Sequence, residues 1–155
     1  PLRDQTFGKP ISIGFVWAAV TVAPIFLFFE KTGLSPACLL LFVARFCFIA
    51  ALALGYDLID ENADRASNLG TIPVRFGPFF TKKVILGLIL TAFLSSIGQL
   101  SIGFYSPKIL VAVSLSLLAT ASTILFLPKK WPAADAKMLV DSMMVLQFFL
   151  VLGAI

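Results

Sequence analysis

The sequence predicts an all-α membrane protein: a multi-span bundle of about five transmembrane helices that forms one membrane domain over residues 1–155. Hydrophobic residues make up 59% of the chain and charged residues 13%, whereas soluble domains carry about 25% charged residues. Five apolar stretches each approach the ~20 residues that a bilayer crossing needs. These stretches leave almost no polar surface for a soluble fold, so we exclude that class.

The predicted spans are separated mostly by short connections, which place neighbouring helices antiparallel in an up–down bundle. One connection is long, from Asp57 to about Pro78. The spans are Ile11–Phe29, Pro36–Tyr56, Phe79–Phe104, Ile109–Leu127 and Lys137–Ile155.

Basic residues are distributed unequally between the two ends of this bundle. One side, with the amino terminus, the long connection and the Pro128–Asp135 connection, holds Arg3, Lys9, Arg65, Arg75, Lys82, Lys83, Lys129, Lys130 and Lys137, and the other side holds Lys31 and Lys108. Positive residues favour the cytoplasmic side. We therefore expect an integral protein of a bacterial-type inner or plasma membrane, with a cytoplasmic amino terminus and no nucleic-acid partner.

Half of the chain's eight acidic residues lie in eight positions of the long connection, from Asp57 to Asp64. Asp57, Asp60 and Asp64 have the spacing i, i+3 and i+7, so a helix continuing past Tyr56 would carry all three carboxylates on one face. Such a cluster favours a bound cation, and oxygen ligands without His or Cys suit Mg²⁺. We expect Asn68 or Gly70 to end this helix, because both tolerate a left-handed cap.

Basic residues flank the acidic cluster, namely Arg65, Arg75, Lys82 and Lys83. Carboxylates that bind Mg²⁺, together with nearby cations, are the groups needed to bind a diphosphate. A solvated acidic helix end is the alternative interpretation. Acids at the carboxy terminus of a helix oppose its macrodipole, however, which disfavours that interpretation.

The acidic run also resembles a known motif. Tyr56-Asp-Leu-Ile-Asp-Glu-Asn-Ala-Asp-Arg65, followed by Thr71-Ile-Pro-Val-Arg-Phe-Gly77, is similar to the second Asp-rich motif of the UbiA superfamily of intramembrane prenyltransferases. Asp60 and Asp64 match its DxxxD pattern. Lys9, the Trp17…Pro24 span and the span that contains Asp141 resemble the family's carboxy-terminal half.

The resemblance implies Mg²⁺-dependent transfer of a prenyl group from a polyprenyl diphosphate to an aromatic or hydrophobic lipid acceptor in the bilayer. It implies that Asp60 and Asp64 hold the metal, with Asp57 as a supporting acid. Aromatic faces such as that of Tyr56 would stabilise an allylic cation. The expected site is therefore catalytic Asp60, Asp64 and Tyr56, with Arg65, Lys82, Lys83 and Lys9 on the diphosphate.

One element of the family pattern has no counterpart here. The family's first Asp-rich motif, NxxxDxxxD, lies in its amino-terminal half, whereas the asparagines of this chain are Asn62 and Asn68. Three arrangements would explain this: a missing amino-terminal half, a homodimer, or a non-catalytic UbiA-like accessory subunit of a larger membrane complex. The CDP-alcohol phosphotransferases also use aspartates at the membrane boundary, but their Asp-Gly pattern does not occur here.

Three of the polar residues inside the predicted spans, namely Arg45, Gln147 and Asp141, are candidates for a structural or functional role. Arg45 is costly in a bilayer unless it faces a partner or a cavity, and we expect an interhelix bond with Gln147 or a position lining the substrate cavity. Asp141 lies about one turn into the last span. It either faces the cytoplasmic end near Lys82 or Lys83, or is exposed at the interface.

Overall fold

The computed structural model of the chain describes residues 8–25, 27, 35–127 and 131–155. Within these ranges the protein is all-α, as predicted, and its six helices are α1 (Gly8–Pro24), α2 (Pro36–Ile59), α3 (Glu61–Ala66), α4 (Ile72–Ser101), α5 (Pro107–Phe126) and α6 (Ala133–Leu152). Several residues of the charge argument lie outside the described ranges: Arg3, Lys31, Lys129 and Lys130. The end of the first predicted span, at residues 28–29, also lies outside them.

In the part of the chain that the structure describes, α2, α4 and α5 are each long and apolar enough to cross a membrane. Helix α6 has 20 residues but carries Asp135, Lys137 and Asp141, and α1 has 17 residues. These three apolar helices support an integral membrane protein. The five-span topology and its cytoplasmic orientation stay predictions.

Helix α2 is the central element of the bundle. It begins at Pro36, and the side chain of Ser35 accepts a hydrogen bond from the Cys38 N–H at 3.2 Å, which caps the helix. Every residue from Cys47 to Gly55 is buried, as expected for a helix that is apolar all round. Its neighbours are α1, α4, α5 and α6, and α5 also packs against α4 and α6.

The predicted continuous helix through Asp57, Asp60 and Asp64 is wrong at Asp60. Helix α2 ends at Ile59, Asp60 has φ −85° and ψ 1°, and α3 begins at Glu61. The last turn of α2 contains the buried Asp57, whereas α3 has no buried residue. The chain therefore bends at Asp60, between the buried last turn of α2 and the more exposed α3.

Asn68 ends this helical segment, which confirms one of the two predicted caps. Its φ of 53° is left-handed. The Asn68 N–H donates to the Arg65 carbonyl at 3.2 Å, and the Leu69 N–H donates to the Asp64 carbonyl at 2.8 Å. These two bonds form a Schellman motif, which satisfies the last carbonyls of the helix.

Helix α4 begins at Ile72, seven residues before the predicted span, and is interrupted at Gly77. Gly77 has φ 82° and ψ 160°, a conformation essentially restricted to glycine. Pro78 follows and has no N–H to donate, so the main part of the helix begins there. Thr81, fully buried, donates its hydroxyl to the Gly77 carbonyl at 3.0 Å.

Gly77→Ala is expected to lower the free energy of unfolding by about 1–3 kcal/mol, because alanine is strained at this φ and ψ. Lack of space is not the cause, since a Cβ at Gly77 would meet nothing within 4 Å. Gly87→Ala is the matched control, because Gly87 has equal open space but lies inside α4 without a positive φ. There we expect a neutral or stabilising change of up to about 1 kcal/mol. Unfolding in detergent micelles measures both, and equal losses would contradict the argument.

Candidate active site

A cavity of about 330 Å³ lies between α1, α2 and α6. Polar side chains converge at one end of it, which we call the mouth: Lys9, Tyr56, Asp60 and Asp141. The remaining wall is apolar and consists of Ile13, Trp17, Ile49, Leu52, Ala53 and Met144. Its size is typical of small-molecule sites, and its two-part lining suits a ligand with a charged head and an apolar body.

An ion pair joins α1 to α2 at this mouth. Lys9 Nζ lies 2.6 Å from Asp57 Oδ1. The Asp57 side chain is 1% exposed, whereas that of Lys9 is 53% exposed. A buried carboxylate is thus neutralised by a lysine whose ammonium also reaches the cavity.

A second ion pair joins α6 to α2. Lys137 Nζ lies 2.8 Å from Asp60 Oδ1. Lys137 was not among the predicted site residues, although its spacing carried a signal. It precedes Asp141 by four residues, which places both on one face of α6.

The predicted diphosphate ligands other than Lys9 make contacts elsewhere. Arg65 pairs with Glu61 at 3.0 Å within α3. Lys82 Nζ donates to the Leu125 carbonyl of α5 at 2.7 Å, and Lys83 Nζ lies 4.6 Å from the centre of the Phe79 ring. The assignment of Arg65, Lys82 and Lys83 to a diphosphate therefore stays a prediction.

The acidic residues leave two buried oxygens without a partner. Asp57 Oδ2 and Asp64 Oδ2 are both buried and accept no hydrogen bond, which is unusual for polar atoms in folded proteins. Asp60 and Asp64 lie close enough to Asp57 to repel its charge. Within the described ranges, no group of three or more acidic or Cys side chains is arranged to hold a metal ion.

These orphaned oxygens decide whether the residues fit a magnesium ion. Carboxylate oxygens are the ligands that Mg²⁺ prefers, and it binds through one or two carboxylates with water and substrate phosphate rather than through a complete protein cage. Unpartnered oxygens on two neighbouring acids meet that requirement. The donor set therefore fits, even though the described residues do not themselves form a three-acid site.

Tyr56 and Asp141 meet across the mouth. The Tyr56 phenol contacts the Asp141 carboxylate, which links α2 to α6. Asp141 thus lines the cavity with Lys9, whereas Lys82 is engaged by Leu125. Asp141 is exposed, which agrees with the second of its two predicted positions, and its neighbour at the mouth is Tyr56 rather than Lys82 or Lys83.

The predicted bond between Arg45 and Gln147 is confirmed. Arg45 Nη1 donates to Gln147 Oε1 at 2.6 Å, and Gln147 Nε2 donates to Ser116 Oγ at 3.1 Å. This network connects α2, α6 and α5. Beside it, burial raises the pKa of the Tyr105 hydroxyl, and the Arg45 charge partly offsets that effect.

Three apolar helices long enough to span a bilayer indicate an integral membrane protein, and the cavity beside them is charged at one end and apolar along its wall. The UbiA prenyltransferase family model matches residues 3–152, and the chain belongs to this family. Members of the family are generally prenyltransferases, typically Mg²⁺-dependent. No significant match was found among curated proteins or among solved structures.

Proposed function

We propose that this protein transfers a prenyl group from a polyprenyl diphosphate to an aromatic or lipid acceptor in a Mg²⁺-dependent reaction. The chain contributes the second Asp-rich motif of the family, with Asp60 and Asp64. The observation that carries this proposal is the cavity between α1, α2 and α6, which joins a charged mouth to an apolar wall.

The mouth supplies the groups that bind the diphosphate. Lys9 and Lys137 each neutralise one aspartate, and their ammonium groups are partly exposed. An entering diphosphate offers them more acceptor oxygens than a single carboxylate does, so both lysines can turn toward it and form charge-assisted hydrogen bonds. Lys9 and Lys137 are therefore our proposed diphosphate ligands at the mouth.

Asp60 and Asp64 would hold Mg²⁺, with Asp57 in support. When bound, the ion supplies positive charge that stabilises the departing diphosphate. The orphaned oxygens of Asp57 and Asp64 support this assignment. Turning Lys137 away from Asp60 would free a further carboxylate oxygen on the same side of the cavity.

The apolar wall performs two tasks. Ile13, Leu52 and Met144 bury the prenyl tail, and they exclude water from the allylic carbon as the diphosphate leaves. The rings of Tyr56 and Trp17 also line the cavity, where aromatic faces stabilise positive charge by cation–π contact. The acceptor then forms a bond to this carbon in place of the broken C–O bond to the diphosphate, and the proton that the acceptor loses passes to the released diphosphate.

A non-catalytic role remains the second candidate, and one observation favours it. Asp57 and Asp60 are each paired with a lysine, so lysines neutralise these two carboxylates without a metal. In that case the chain is an accessory subunit of a membrane assembly. For the catalytic proposal, the partner is an amino-terminal half or a second copy that supplies the other Asp-rich motif.

The two candidates differ in activity and in mass. The complete native protein in lipid nanodiscs is given a radiolabelled prenyl diphosphate and a mixture of aromatic and lipid acceptors, with Mg²⁺ or with a chelator. Prenyl transfer that requires Mg²⁺ supports the enzyme. Binding of the prenyl diphosphate without transfer to any acceptor contradicts it. Intact mass and crosslinking of the native protein identify the partner.

Lys137→Met is expected to raise the KM for the prenyl diphosphate about tenfold, the value of one charge-assisted hydrogen bond, with a smaller effect on kcat. Lys83→Met is the matched control, because the Lys83 ammonium lies over the Phe79 ring, whereas that of Lys137 pairs with Asp60 of the mouth. Initial rates against substrate concentration measure both. A larger KM change in the Lys83 variant would show that the diphosphate lies elsewhere.

A further inference from the structure

A second cavity adjoins the apolar wall of the first. A smaller cavity of about 90 Å³ shares Trp17, Ile49 and Met144 with the larger one. Its additional polar lining is Thr21, Arg45 and Gln147. The inner end of the combined cavity is therefore polar again, and it contains a full positive charge.

The three lining helices order these groups in the same way. Along α2 the lining residues run from Asp60 at the mouth through Leu52 to Arg45, and a rise of about 1.5 Å per residue separates the two ends by ~22 Å. Helix α1 runs from Lys9 to Thr21, and α6 runs from Asp141 to Gln147. An apolar passage thus lies between two polar ends.

Arg45 is fixed at this inner end. Its bond to Gln147 at 2.6 Å, and the bond from Gln147 to Ser116 at 3.1 Å, tie it to α6 and α5. Among the described residues, no carboxylate pairs with it: the ion pairs found there are those of Lys9, Arg65 and Lys137. A guanidinium has five N–H donors, so Gln147 leaves Arg45 with further donors that require water or another acceptor.

We propose that Arg45, held by Gln147, is a specificity-determining residue that limits the length of the prenyl chain in the cavity. This inference rests on the proposed function, with the diphosphate at the mouth and the tail pointing inward. A tail gains binding free energy with each methylene that it buries against the apolar wall. A tail that reached Arg45 would remove water from the guanidinium without offering an acceptor, which is unfavourable.

The test compares prenyl diphosphates of increasing length, from geranyl through farnesyl and geranylgeranyl to longer chains, on the complete protein in nanodiscs. The main variant is Arg45→Leu with Gln147→Leu, which removes the polar pair without leaving Gln147 buried beside an apolar side chain. Arg45→Met is a second variant if the first does not fold, because Gln147 then keeps its bond to Ser116. Lys108→Leu, at the start of α5 and outside both cavities, is the control.

We expect the ratio of kcat/KM for the longest over the shortest substrate to rise about tenfold in the Arg45 variants and to stay unchanged in the control. Dissociation constants from tryptophan fluorescence are expected to change in the same sense, so that the Arg45 variants gain affinity for the longest substrate relative to the shortest. An unchanged ratio in a folded, active variant overturns the proposal, and the role of Arg45 is then only to hydrogen-bond α2 to α6. Failure of the wild type to bind any prenyl diphosphate is a different result, which overturns the proposed function itself.

Discussion

Asp64→Asn is expected to reduce the kcat of prenyl transfer by about a hundredfold or more, the usual cost of losing one group that stabilises transition-state charge. Asp64 carries a buried oxygen with no partner in the protein, so no ion pair or hydrogen bond of that oxygen is lost with its charge. We therefore expect activity to fall far more than stability. Asp60→Asn is expected to behave similarly, with an additional loss of the Lys137 pair.

Glu61→Gln is the matched control for this experiment. It removes the same charge from the same short segment, but Glu61 pairs with Arg65, whereas Asp64 has a buried oxygen without a partner. We expect its kcat to stay within about twofold of the wild type, since exposed ion pairs contribute little. The Mg²⁺ concentration required for half-maximal activity should rise in the Asp60 and Asp64 variants and stay unchanged in the Glu61 variant. Equal activity of the Asp60, Asp64 and Glu61 variants would remove Asp60 and Asp64 from the site.

The helical class and the end of the acidic segment could both be predicted from sequence because each depends on local pattern. Apolar runs of bilayer length indicate helices regardless of tertiary contacts. Asn68 ends α3 in a left-handed conformation, as predicted from the tolerance of asparagine for that conformation. The pairing of Arg45 with Gln147 was also predictable. A charge in a span needs a partner at its own depth, and few polar side chains exist there.

The details of the site depend on interactions between helices, which the sequence pattern does not contain. The bend at Asp60 separates the buried Asp57 from α3, which has no buried residue, and local spacing does not contain this difference in burial. Proximity in sequence favoured Lys82 and Lys83 as diphosphate ligands, whereas the lysines at the mouth come from α1 and α6. Lys137 is distant in sequence from Asp60, with which it pairs. Its four-residue spacing from Asp141 indicates only that these two residues share a face of α6.

Lys9→Met is expected to cost roughly 2–3 kcal/mol of unfolding free energy, less than the loss for a fully buried pair because Lys9 is half exposed. The variant leaves the Asp57 carboxylate, which is 1% exposed, buried without a positive partner. Asp57→Leu should cost less, about 1 kcal/mol, since the released Lys9 can reach water. Removing either member of the same ion pair is thus expected to give unequal effects.

The double variant Lys9→Met/Asp57→Leu separates the ion pair from its desolvation cost. With both charges gone, no unpaired carboxylate remains buried, so we expect most of the stability lost in Lys9→Met to return. Lys137→Met is the control. Its partner Asp60 is 27% exposed, so we expect this variant to lose under about 1 kcal/mol of unfolding free energy. Unfolding curves of the four variants in one detergent provide the comparison. A double variant no more stable than Lys9→Met would mean that Lys9 stabilises the junction of α1 and α2 through packing of its stem rather than through its charge.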